Sequence, residues 1–475
     1  MRLRQLLLIL IVSAVIVAAS SAQTVDVLFN FTYFSSTGAF PTDLIRGPNG
    51  SFYGTTLLYG AGERVLYTFH GGADGGADGA VPNAGVIADA FGNLFGTTGG
   101  GGGIGCGGTG CGTVFELSPP STAGGPWTEK VLYSFQGAGA GDGGGPGTPL
   151  VFDGLGNLYG TTGGGGALSA NCPFGGCGTV FELAFDGGAW SETVLYSFQS
   201  GTDGFSPQSN LVFDKTGNLY GTTAGGGGTG CGGIGCGTVF ELSPPTAQGG
   251  AWTENILYAF QAGQDGFIPA GNLAIDARGN LYGITEGDGK CTSCGTVFKL
   301  IPPTVSGGAW SKHVLHSFQD NSSDGQSPAA GPVLHQGLYG TTELGGTLGQ
   351  GTVYQLTSGA LGVVTETVLY SFGSNASDVQ PFAGVVFDRA GNLYGTTSGG
   401  GNLTGTVFQL QPPSQSGGSW TEAVLHTFTG GPDGGGPYGT LLVRGHALYG
   451  TTAAGGNSKC GVSVGCGVVF SISIP

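Results

Sequence analysis

Residues 211–223 read L-V-F-D-K-T-G-N-L-Y-G-T-T. Shortly after them, residues 237–242 read G-T-V-F-E-L and residues 252–260 read W-T-E-N-I-L-Y-A-F. Each apolar run is short, rich in Val, Tyr, Phe and Thr, and bounded by Gly, Asn, Asp or Pro, which is the pattern of short β-strands. Gly217 and Asn218 supply the positive φ of a tight hairpin turn, and Asp214 can accept a bond from the backbone two residues on. The strings return along the whole chain. Y/F-G-T/I-T begins at Tyr53, Phe95, Tyr159, Tyr220, Tyr282, Tyr339, Tyr394 and Tyr449, at spacings of 42, 64, 61, 62, 57, 55 and 55 residues. G-T-V-F or a variant begins at Gly112, Gly178, Gly237, Gly295, Gly351, Gly405 and Gly467. V/I-L-Y-S-F or a variant begins at Val65, Val131, Val194, Ile256, Val314, Val368 and Val424, with a degenerate copy at Val27.

Four short strands in about 55–60 residues is a period that suggests propeller blades. No stretch beyond the N-terminal segment holds a 3.6-residue apolar period over ten residues, so the expected class is all-β. Strand one is L-V-F-D, strand two N-L-Y-G-T-T, strand three G-T-V-F-x-L and strand four V-L-Y-S-F. The chain then ends on a third strand and begins on a fourth. The N-terminal strand can complete the last blade and close the ring, which removes an exposed sheet edge. This phasing predicts a single β-propeller over residues 23–475 with eight blades, the first truncated; seven is the alternative. The Gly-rich stretch before strand three and the D-G-x-x-P stretch before strand one read as loops at one end of the ring. The tight turn and the Trp-bearing hairpin lie at the other.

Composition agrees with a folded repeat. The 475 residues include 103 Gly and 23 Pro, a content that would otherwise suggest disorder. The mean hydropathy is positive, +0.16, and 39% of residues are hydrophobic, so apolar surface is available to bury. Gly does not recur every third residue, which excludes collagen. Only 9% of residues are charged, the net charge is −16, and Lys and Arg together number 13. Such a chain has no basic surface with which to release counterions from nucleic acid.

The N-terminus has the layout of a secretory signal peptide over residues 1–22. Arg2 and Arg4 precede an apolar run from Leu6 to Ala18, followed by small residues at Ser20, Ser21 and Ala22. The other reading, a membrane anchor, needs about 18–20 apolar residues, and this run is shorter. No second long apolar run follows, so the expected mature chain has no transmembrane segment and is exported as a monomer.

Taken in order, N-L-Y-G-T-T, G-T-V-F-x-L, W-T-E-x-V-L-Y-S-F and D-G-x-x-P-x-x-x-L-V-F-D resemble the GloVer tandem repeat of secreted bacterial proteins, which occurs in Gloeobacter and Verrucomicrobia. The resemblance covers about residues 25–475. It implies an exported bacterial repeat protein, extracellular, periplasmic or on the cell surface, and a propeller. It implies no reaction. Family members carry a choice of C-terminal anchors, and none is visible here.

All ten Cys fall in the Gly-rich stretch before strand three, as Cys106/Cys111, Cys172/Cys177, Cys231/Cys236, Cys291/Cys294 and Cys460/Cys466. Local pairs in an exported chain point to disulfides. The alternatives are metal, since Cys291-x-x-Cys294 has half a zinc-site spacing, or a redox pair; we assign neither a metal nor a cofactor. Of the 29 acidic residues, most recur once per unit, as in Asp214, Asp203, Glu241 and Glu254, and read as parts of every blade. Glu286, Asp288 and Glu343 do not recur and share the Cys-bearing end, where ligands enter a ring-shaped fold. They are the candidate ligand-binding carboxylates, and a glycosidase would need two such groups at a defined separation. No catalytic residue is assigned. Trp127, Trp190, Trp252, Trp310 and Trp420 recur at the opposite end, either as packing between blades or as stacking platforms for sugars. His316 and His426 replace the Tyr of V-L-Y-S-F and read as packing. The expected function is an exported binding or scaffold module for an extracellular glycan or envelope protein. A polysaccharide hydrolase or lyase, or a structural envelope protein, are the alternatives.

Overall fold

The computed structural model describes residues 87–452 apart from short interruptions, residue 79, and the segments 25–30, 39–41, 45–46, 52–53, 56–58 and 468–474. The fold is all-β. Among the described residues there are seven antiparallel sheets of four or five strands and two two-stranded pairs. We number the seven sheets in chain order: 87–134, 143–197, 204–259, 267–317, 325–371, 386–427 and 442–473.

Sheet 2 shows how the strings build a unit. Val151–Phe152 pairs with Leu158–Gly165, which pairs with Thr179–Phe185, which pairs with Trp190–Ser197. Spatial order equals chain order, as tight antiparallel connections dictate. In sheet 3 the register sets Gly221 opposite Phe240. A Cβ on Gly221 would lie 2.5 Å from the Phe240 ring, so the Gly of Y-G-T-T makes room for the Phe of G-T-V-F across the strand. The second Thr of Y-G-T-T meets the Thr of G-T-V-F in a buried hydroxyl pair, 2.8 Å apart for Thr223 and Thr238. Strand four carries a β-bulge against Val239 and Phe240, and the same irregularity returns in sheets 1, 2, 4, 5 and 6.

One expectation is corrected. The D-G-x-x-P stretch is strand, not loop, in three sheets. Gly143–Pro146, Gly204–Pro207 and Gly325–Pro328 pair with the far end of strand two, which runs on into the Gly-rich stretch as far as Gly165, Gly226 and Gly345. In sheet 4 this segment and the L-V-F-D strand are continuous, as Phe267–Ile275. Glycine is a poor strand former, so composition hid the pairing. What glycine permits is backbone contact: a Cβ on Gly226, at φ +87°, would lie 2.0 Å from the carbonyl oxygen of Asp203.

The core lies between sheets. One cluster joins Tyr159, Val180, Leu195 and Phe198 of sheet 2 to Leu211, Leu219, Phe240 and Leu242 of sheet 3. The other five clusters likewise each join two consecutive sheets. An edge-to-face ring pair marks the contact repeatedly, with centroids 5.1 Å apart for Phe135 and Phe181, 5.2 Å for Phe198 and Phe240, and 5.3 Å for Phe260 and Phe298. A middle sheet therefore buries both faces, which is why its strands read as nearly continuous apolar runs.

At the ends of the chain, Val25–Asn30 pairs antiparallel with Val468–Ser473, setting Val25 opposite Ile472 and Asp26 opposite Ser471. Ala39–Pro41 pairs with Thr56–Leu58, and Ile45–Arg46 with Phe52–Tyr53. The first of these segments lies against Ala447–Thr452 of sheet 7, and Ile45–Arg46 lies against Ile87–Ala88 of sheet 1. No helix among the described residues is long and apolar enough to cross a membrane.

Candidate functional site

Three bridges close the loops before strand three: Cys106–Cys111, Cys172–Cys177 and Cys231–Cys236. Cys294 is also disulfide-bonded; Cys291, Cys460 and Cys466 lie outside the described residues. Cys106 and Cys231 adopt left-handed backbone, at φ +49° and +52°. A side chain costs strain there, and the bridge restrains the loop that holds it. Beside these loops, a cleft of about 1040 Å³ opens across sheets 1 and 2 to the edge of sheet 3. Cys106, Gly137, Gly147, Thr148, Gly164 and Ser206 are among its lining residues, and among the described residues no ionisable side chain lines it. Its described lining offers backbone amides, carbonyls and hydroxyls.

The candidate carboxylates are in sheets 4 and 5. Glu286 and Glu343 hold the same place in neighbouring sheets, each following the Thr that pairs with the Thr of strand three. Glu286 is exposed and Glu343 half-buried. Partial desolvation raises the Glu286 carboxyl above the ordinary carboxylate range. Asp288 is fully buried, at 0% exposure, so the three carboxylates do not share one exposed surface. No group of three or more His, Cys, Asp or Glu that could hold a metal ion occurs among the described residues.

The recurrent aspartates have defined tasks. Asp214 accepts bonds from the backbone N–H of Thr216 and Asn218, from the Asn218 amide and from the Tyr220 hydroxyl. Asp153, Asp276 and Asp388 repeat that arrangement. Despite some burial, these donors hold Asp214, Asp276 and Asp388 below the ordinary range. The D-G-x-x-P aspartates tie strand four to the next sheet. Asp203 accepts from the Tyr196 hydroxyl at 3.1 Å, the Gln199 N–H at 2.7 Å and the Gly204 N–H at 2.7 Å. Asp142 does the same with Tyr133, Gln136 and Gly143. His316 and His426 take the place of the Tyr. Their Nε2 atoms lie 2.9 Å from Asp324 and 3.2 Å from Asp433, and each ring also packs on the Phe two residues on.

Sequence reasoning missed one feature. The Glu of W-T-E sits at the same junction as the D-G-x-x-P Asp. Burial first, and then the charge of Asp142, Asp203 or Asp324, pushes Glu192, Glu254 and Glu366 up to about 7. At the junction of sheets 3 and 4 this position is Lys312, whose Nζ bonds Asp265 Oδ1 at 2.6 Å and also the Asp265 carbonyl. Its ammonium sits over the rings of Tyr258 and Phe260. The signal available in the sequence was that change of sign, Lys312 where the neighbouring units carry Glu254 and Glu366.

Trp190, Trp252, Trp310 and Trp420 are half-buried. The first three pack edge-on against the preceding sheet: Trp190 on Phe95 at 6.1 Å, Trp252 on Tyr159 at 6.2 Å and Trp310 on Tyr220 at 6.0 Å. Trp420 packs against the buried cluster that holds Tyr339 and Phe408, and Trp127 lies outside the described residues.

Among curated proteins, none matches the chain. Among solved structures, the PQQ-bound aldose sugar dehydrogenase of Streptomyces coelicolor aligns over 95% of this chain and 98% of its own, at 11% identity and a TM-score of 0.37. The model of the Gloeobacter/Verrucomicrobia repeat matches residues 13–234, 173–338 and 336–474. The strings that recur in the sequence are thus the repeats of a known family, and this chain belongs to the Gloeobacter/Verrucomicrobia repeat family.

Proposed function

We propose that the seven sheets and the truncated first unit close into one eight-bladed β-propeller, exported from a bacterial cell, that works as a binding or scaffold module. The closure reading is supported by the pairing of Val25–Asn30 with Val468–Ser473 and by the two short strand pairs that lie against sheets 7 and 1. The binding reading rests on one observation. Among the described residues, the cleft at the Cys-bearing end is lined by no ionisable side chain, while raised acids such as Glu192, Glu254 and Glu366 recur at sheet junctions. A neutral cleft of backbone groups and hydroxyls suits a neutral polyhydroxylated ligand, hence an extracellular glycan. The test is a glycan array probed with the exported chain and with Gly147→Trp. Nothing lies within 4 Å of a Cβ at Gly147, and Gly147 lines the cleft, so a large side chain there starts from open space. Saturable binding abolished by Gly147→Trp is expected; binding that survives the substitution, or none to any glycan or envelope fraction, contradicts the reading.

A second reading is polysaccharide cleavage by Glu286 and Glu343, favoured by the raised carboxyl of Glu286 and the equivalent placing of Glu343. Cleavage lost in Glu286→Gln or Glu343→Gln would support it, and unchanged cleavage would remove the assignment. The half-exposed tryptophans at the opposite end are the other sugar-stacking candidate. Glycan binding lost in Trp252→Ala but kept in Gly147→Trp would move the site there.

A further inference from the structure

Among the described residues, the junctions of sheets 1–2, 2–3 and 4–5 each set a Glu near the D-G-x-x-P Asp, and the junction of sheets 3–4, which has Lys312 in that place, shows what the position requires. Asp265 accepts from the Tyr258 hydroxyl, the Gln261 N–H and the Lys312 ammonium. Asp203 has the first two donors in Tyr196 and Gln199, but the residue in the place of Lys312 is Glu254. An ionised Glu can only accept. Its Oε1 is buried with no protein hydrogen-bond partner, in the field of Asp203. Two carboxylates in one low-dielectric junction do not both ionise readily.

We propose that Glu254 and Glu192 are held as the neutral acid, so that their junctions each store one proton where the sheet 3–4 junction stores the Lys312 ammonium. The proton sits on Glu254 beside Asp203, and equally on Glu192 beside Asp142. The titratable groups acting on Glu254 are Asp203 and Tyr196; those acting on Glu192 are Asp142 and Tyr133. At the junction of sheets 4 and 5, Glu366 faces Asp324, His316 and Tyr354. The consequence is a packing between sheets that loosens as pH rises. A folded-state value above the unfolded one means the folded chain holds the proton longer. The stabilisation is complete below the unfolded value near 4.5 and is lost as pH rises through about 7.

The experiment is thermal unfolding of the full chain between pH 5 and pH 8.5, for the wild type, Glu254→Gln, Lys312→Glu and the exposed-carboxylate control Asp186→Asn. Expected is a wild-type Tm that falls by several degrees from pH 5 to pH 8.5. Glu254→Gln should be close to wild type at pH 5 and higher at pH 8.5, with a smaller fall. Lys312→Glu should deepen the fall, and Asp186→Asn should leave it unchanged. A Glu254→Gln slope equal to that of Asp186→Asn would overturn the proposal. Infrared difference spectra of wild type between pH 6 and pH 9 give a second readout that needs no variant to fold. A protonated carboxyl carbonyl band at pH 6 that vanishes by pH 9 is expected, and its absence at pH 6 would also overturn it.

Discussion

Asp214 and Glu254 belong to one sheet and are treated in opposite ways. At the tight turn, Asp214 collects donors from two backbone amides, an Asn and a Tyr, and its acidity rises. At the sheet junction, Glu254 has a buried Oε1 with no protein partner and its acidity falls. Both residues recur from unit to unit, so recurrence alone says nothing about protonation. The difference teaches that the turn end is built by local hydrogen bonding within a few residues. The junction is built by burial between segments some fifty residues apart in sequence.

The comparison can be broken most severely by overfilling the junction side. Gly221→Ala pushes a methyl into the Phe240 ring and should cost about 1–3 kcal/mol in denaturant unfolding. At the turn, Gly217→Ala meets almost nothing but must hold φ +90°, so its cost of about 1–2 kcal/mol comes from backbone strain. If Gly217→Ala is the more damaging of the two, the packing account of Y-G-T-T is wrong.

A smaller effect separates the carboxylates by pH. Asp214→Ala removes several bonds to a half-exposed charge and should cost about 1 kcal/mol at pH 7. The folded-state value of Asp214 lies below the unfolded one, so its contribution is present above about pH 4 and lost as the pH falls through the lower value. The difference between wild type and variant should therefore shrink below pH 4, as read from unfolding midpoints at pH 3 and pH 7. Glu254→Gln, the smallest effect, should act only on the other side, above pH 5. If both variants changed stability in the same pH window, the contrast between turn and junction would collapse.

Much of the fold was legible because the strings carry their own partners. Gly221 and Phe240, or Asp214 and Asn218, announce a register or a turn within a short span. The D-G-x-x-P strand was not legible, since Gly143–Pro146 pairs through backbone atoms and offers no alternation of side chains. That pairing also accounts for part of the glycine excess: strand two continues through Gly164 and Gly165, where a side chain on Gly165 would strike the neighbouring backbone. At the candidate site, the local Cys pairs were readable. The burial of Asp288 and the coupling of Glu254 to Asp203 were not, because both depend on a neighbouring segment that no local pattern specifies.

The central claim is a ring closed by the N-terminal strand, and cross-strand crosslinking tests it most directly. Asp26 lies opposite Ser471, and directly opposed Cβ atoms on antiparallel strands are about 4.5–5.5 Å apart. Asp26→Cys combined with Ser471→Cys, oxidised and mapped by mass spectrometry of the unreduced protein, should give an intrachain link between these two positions at dilute concentration. Failure of that link, or one formed only between chains, while the native bridges such as Cys231–Cys236 are intact, would contradict closure.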